Sequence, residues 1–129
     1  MKNKILIIFQ DGRPELERTA KGMGERLAAD EREVLVLPAG SVTIPQMLAA
    51  TFLVFGADEA ETESYGEVAR LLGGMNLAGR KAAYFGSNGA AIAWLKGLTA
   101  DSELGQAGAD LLGAKPEPSA LAAWVRSLS

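Results

Sequence analysis

The sequence predicts an α/β domain: a doubly wound parallel sheet with helices on both faces, in three layers. Three observations predict it. Short apolar runs without polar alternation recur along the chain, as strands buried on both faces require. Segments of helical period lie between those runs. Three of the runs stop directly at Pro38, Gly56 or Gly86, residues that punctuate regular structure. Strand and helix alternate about five times, and right-handed crossovers then demand a parallel sheet covered on both sides.

The elements follow in order. Residues 5–9, apolar, β-branched and aromatic, predict the first strand. Gln10, Asp11, Gly12 and Arg13 form a loop, and Pro14 is suited to a first helical position. Leu16, Ala20, Met23 and Leu27 recur at spacings of four, three and four, which marks one helix face. Residues 34–37 predict the second strand, and Pro45 opens a short helix or turn over 44–50. Residues 52–55 and 82–85 predict the third and fourth strands. Residues 64–72 and 90–98 predict the helices that follow them, with Tyr65, Val68, Leu71 and Leu72 on one apolar face and Ala91, Trp94, Leu95 and Leu98 on the other. A fifth strand is expected over roughly 110–114. A last helix over 119–128, capped by Ser119, presents Leu121, Trp124, Val125 and Leu128.

A chain of 129 residues suits one domain over 1–129 with a single core. With no Cys and no His, disulfides, thiolate catalysis and the commonest general base and metal ligand are excluded, and no metal ligand is assigned. Thirteen basic against 16 acidic residues leave a net charge of −3, which argues against nucleic acid or an anionic membrane as partner. The run 5–9 is too short to span a membrane and no signal-cleavage pattern accompanies it, so a cytoplasmic location is expected. Ser87 lacks a nucleophile-elbow context, and without His a serine hydrolase is excluded.

Ligands on such sheets sit beyond the carboxyl ends of the strands, where the winding reverses. The segment Leu77-Ala78-Gly79-Arg80-Lys81-Ala82-Ala83-Tyr84-Phe85-Gly86-Ser87 resembles the middle of a flavodoxin, which commonly reads Leu-x-Gly-Lys-x-x-Ala-x-Phe-Gly-Ser or Thr. The order and spacing of elements are similar over nearly the whole chain. The resemblance implies a flavodoxin-like five-stranded sheet of order 2-1-3-4-5 that binds FMN and carries electrons between partner enzymes. It implies a phosphate site at Gln10, Asp11, Gly12 and Arg13, and a ring site at Ala57, Asp58, Ser87, Asn88 and Gly89. The family's hydroxyl-rich phosphate loop falls on Asp11-Gly12-Arg13-Pro14-Glu15-Leu16, where every hydroxyl is replaced and Pro14 offers no N–H. Arg13, with a phosphate-shaped fork, is the one cation there.

Two other readings stand beside this one. The degenerate phosphate loop is compatible with a cofactor-less interaction or regulatory protein on the same fold. Lys115-Pro116 is similar to the end of a response-regulator receiver domain, but Asp58 lies two residues too late for that family's phospho-acceptor. The acids Asp58, Glu59, Glu61, Glu63 and Glu67 either guide docking to a basic redox partner or complement a helix N-terminus. The sequence carries no signal for oligomeric state.

Overall fold

The computed structural model describes residues 4–28, 33–59, 63–72, 80–86, 88–99, 105–106 and 111–112. Four strands, β1 (Lys4–Phe9), β2 (Glu33–Pro38), β3 (Phe52–Gly56) and β4 (Lys81–Gly86), form a parallel sheet in the order 2-1-3-4. Four helices connect and cover them: α1 (Pro14–Ala28), α2 (Ile44–Ala49), α3 (Gly66–Leu72) and α4 (Gly89–Thr99). A single turn of tighter helix over Ala39–Ser41 follows β2, and another over Glu63–Tyr65 precedes α3.

Burial in β1 follows from its sequence. Every residue after Lys4 is buried, because β1 lies between β2 and β3 and has a helix layer over each face. Alternate residues serve opposite layers. Ile5, Ile7 and Phe9 join Val54, Ala83 and Phe85 under α1, which contributes Leu16, Ala20 and Met23. Leu6, Ile8, Leu53, Phe55, Ala82 and Tyr84 face α2, α3 and α4, with Met47, Val68, Leu72, Ala91 and Leu95 packed on them. Burying one such Ile, Leu, Val, Phe or Met side chain contributes about 1.5–3 kcal/mol, so these two layers hold the sheet.

The short helix α2 needs local help, since six residues form less than two turns. Gln46 Oε1 accepts the Thr43 N–H at 2.9 Å. At the other end the Arg80 side chain donates to the carbonyls of Ala50 at 3.0 Å and Leu48 at 2.9 Å, a cation at the helix C-terminus.

The outer edge of β4 carries two two-residue segments, β5 (Gly105–Gln106) beside Lys81 and Ala82, and β6 (Leu111–Leu112) beside Phe85 and Gly86, both parallel. The fifth strand expected over 110–114 coincides with β6 at its two described residues; the rest of it, the helix expected over 119–128 and Lys115-Pro116 lie outside the described residues. No helix among the described residues is long and apolar enough to cross a membrane.

Candidate functional site

At their carboxyl ends β1 and β3 lie side by side, while the chain leaves β1 for β2 on one side and β3 for β4 on the other. That divergence is the topological switch point. The loops after Phe9, Gly56 and Gly86 meet there.

The β1 loop makes a tight turn. Gly12 has φ +75°, and apart from its chain neighbours no atom lies within 4 Å of where a Cβ would stand, so the turn is open on that side. Pro14 then starts α1, and its missing N–H would have had no helical partner in any case. Asp11 does not point into this opening alone: its Oδ1 accepts the Gly40 N–H at 3.0 Å and fastens the loop to the turn after β2.

Gln10 occupies the seam between the β1 and β3 loops. It is 4% exposed, one of two buried polar side chains, tyrosines aside, among the described residues. Its Oε1 accepts two successive backbone N–H groups, Asp58 at 2.9 Å and Glu59 at 3.2 Å. Its own N–H donates to Gly56 O at 3.0 Å. One residue therefore sets the path of the β3 loop. Beside it the Arg13 guanidinium forms an ion pair with Glu59, both side chains partly open to solvent at 40% and 55% exposure.

Ala57 lies in the core and is fully buried. Its N–H donates to Phe85 O at 3.2 Å. Its carbonyl lies against Gly86, where an added Cβ would stand 2.1 Å from that oxygen, so glycine is the residue that lets the β3 and β4 loops touch. Asn88, expected from the sequence at the ring site, caps α4, its Oδ1 accepting the Ala90 N–H at 2.9 Å. Gly89 is the first residue of that helix and is exposed. Ser87 lies outside the described residues.

Sequence reasoning placed Tyr65 on a helical face and missed its main task. The residue ends the tighter turn Glu63–Tyr65 and is fully buried. Its hydroxyl accepts the Gly56 N–H at 3.1 Å and faces two acceptors, Gly56 O at 2.7 Å and Ile8 O at 3.1 Å. Its ring meets Trp94 edge-on, centroids 5.8 Å apart. Burial pushes the phenol well above its ordinary pKa. Tyr65 thus pins the last turn of β1 to that of β3 beneath the loops. The signal available was a lone Tyr on an apolar helical face, whose hydroxyl must find a buried partner.

Two of the acids after β3 are held in ion pairs. Glu59 pairs with Arg13, and Glu67 pairs with Arg70, whose guanidinium holds the Glu67 carboxyl below the usual carboxylate range. Glu61 lies outside the described residues, and no group of acids positioned to hold a metal ion occurs among those described.

A groove of about 420 Å³ opens at the opposite end of the sheet, between α2 and the starts of β1 and β2, lined by Ile5, Leu6, Leu35 and Ala49 among others. It is remote from the loop cluster.

No family model matches this chain, and no curated protein matches it in sequence. Solved structures do match. The flavodoxin of Streptococcus pneumonia TIGR4 superposes with a TM-score of 0.85 at 14% identity, covering 97% of each chain. Flavodoxin 2 from Bacillus cereus superposes with a TM-score of 0.83 at 18% identity, again covering 97% of each. A short-chain flavodoxin associated with a non-canonical PDU bacterial microcompartment superposes with a TM-score of 0.84 at 12% identity over 99% of this chain and 97% of that one. The chain has a flavodoxin-like fold.

Proposed function

We propose that this protein binds FMN at the switch point and carries single electrons between partner proteins. The observation that carries the reading is the open turn at Gly12, where, its chain neighbours aside, no atom lies within 4 Å of a would-be Cβ, and which adjoins Arg13 and the start of α1. Such an open cradle next to a cation and a helix N-terminus suits a phosphomonoester. The superposition on flavodoxins over nearly the full chain supports the same placement.

In this reading Arg13 and the N–H groups at the start of α1 hold the phosphate, and Pro14 contributes no donor. Asp58, Asn88 and Gly89 border the ring system, while Ala57, buried in the core, supports the loops from beneath. FMN supplies one-electron oxidation and reduction when bound. Gln10 and Tyr65 keep the loop ends fixed, which lowers the ordering cost of binding. The acidic side chains after β3 favour partner proteins with basic docking surfaces.

Titration of the purified protein with FMN, followed by quenching of flavin fluorescence, tests the reading. Micromolar or tighter binding, about −8 kcal/mol or more, is expected. Arg13→Ala is expected to weaken it about tenfold, since a hydrogen bond to a charged group contributes about 1.5–3 kcal/mol. A protein that binds no flavin at these concentrations refutes the proposal. The second reading, a cofactor-less interaction module, would then stand on the Gln10 and Arg13 contacts that tie the β1 and β3 loops together.

A further inference from the structure

The pairing of Arg13 with Glu59 has a consequence for ligand choice. Arg13 is the cation of the β1 loop, and in the described structure its guanidinium is engaged by a carboxylate from the β3 loop. The pairing is not a chance meeting of two long surface side chains. Gln10, itself buried, takes the backbone N–H of Glu59 at 3.2 Å and that of Asp58 at 2.9 Å, and so holds the β3 loop against the β1 loop. Glu59 is presented to Arg13 by a hydrogen-bonded framework.

From this we infer that Glu59 is a specificity-determining residue that sets how strongly the site favours a phosphorylated flavin over an unphosphorylated one. The inference rests on the proposed FMN site. A phosphate dianion and the Glu59 carboxylate compete for one guanidinium fork. To seat the phosphate, Arg13 must leave Glu59, and Glu59 is left facing two further negative charges. A flavin without the phosphate makes no such demand. Glu59 therefore weakens FMN selectively and leaves riboflavin untouched. The pair is partly exposed, at 40% and 55%, so its effect is that of a tuned bias and not of a closed gate.

The test measures dissociation constants for FMN and riboflavin at one fixed salt concentration, in the full chain and in Glu59→Gln, Arg13→Ala and the double variant. Glu59→Gln is expected to tighten FMN about fivefold, the size an exposed ion pair together with screened repulsion supports, with riboflavin unchanged. In the Arg13→Ala background the same substitution is expected to give less than half of that gain, because no guanidinium is there to be released. Glu59 is exposed, so the glutamine variant is expected to fold, and thermal unfolding checks this directly. Equal tightening of FMN and riboflavin, or an unchanged preference between them, overturns the inference while the FMN site stands. A full gain in the Arg13→Ala background also overturns it, since general repulsion would then account for the effect. Failure of every variant to bind either flavin removes the FMN reading and this inference with it.

Discussion

Replacing Tyr65 with phenylalanine removes one oxygen and keeps the ring that meets Trp94 edge-on. The hydroxyl stands 2.7 Å from Gly56 O, 3.1 Å from Ile8 O and 3.1 Å from Gly56 N. It has one proton, so it donates to one carbonyl at a time while accepting from the Gly56 N–H. Gly56 O keeps a second donor, the Gln10 N–H at 3.0 Å, so that carbonyl is not orphaned by the substitution. A buried neutral hydrogen bond contributes about 0.5–1.5 kcal/mol net, and orphaned partners raise the loss to about 1–3 kcal/mol. With Gly56 O still served, a loss of about 1.5 kcal/mol is expected, or about 5 °C in Tm for a chain of this length. Urea unfolding followed by far-ultraviolet circular dichroism measures it, with the slope m unchanged. A loss below about 0.3 kcal/mol would show that the hydroxyl is not the pin between β1 and β3 that its geometry indicates. A loss above about 3 kcal/mol would show that the Gly56 N–H or Ile8 O depends on it entirely.

The same residue governs alkaline stability. Its folded pKa is raised, mainly by burial, above an unfolded value of 10.0, so its contribution is fully present below that pH and declines as pH rises beyond it, by about 1.4 kcal/mol per pH unit. Tyr65→Phe is expected to flatten the fall in unfolding free energy measured between about pH 9 and 11. Gln10→Leu leaves the Asp58 and Glu59 N–H groups without their acceptor, and a loss of about 2 kcal/mol is expected, with faster hydrogen exchange at those two amides as the local readout. Gly86→Ala and Gly12→Ala separate crowding from backbone strain. At Gly86 the new Cβ would stand 2.1 Å from Ala57 O, and a loss of about 3 kcal/mol is expected. At Gly12 there is open space but φ is +75°, and thermal unfolding should show a loss nearer about 1 kcal/mol.

How much of this was legible in the sequence depends on the range of the interaction. The four strands are apolar runs, and burial on both faces is written locally in residues such as Ile5 to Phe9, because each buried position needs an apolar side chain whatever lies opposite. Pro14 at the start of α1 is equally local, since it acts within its own turn; the cap at Asn88 is as local, but the family resemblance assigns that residue to the flavin ring. The short helix α2, read as helix or turn, was ambiguous because its C-terminal donor, Arg80, comes from 30 and 32 residues away.

The site was legible as a place but not as a set of contacts. The sequence alone located the loops after Phe9 and Gly56 and marked Arg13 as their cation. It could not assign Arg13 its partner in the β3 loop, nor Gln10 the N–H groups 48 and 49 positions on, nor Tyr65 a carbonyl 57 positions back. Those contacts form because β1 and β3 are adjacent and in register, with Phe9 beside Gly56. Hydrophobic periodicity records which residues are buried, and it is nearly blind to strand register. Only the tertiary structure decides which buried polar group meets which, because a hydrogen bond needs its atoms within about 3 Å and the chain between them carries no trace of that distance.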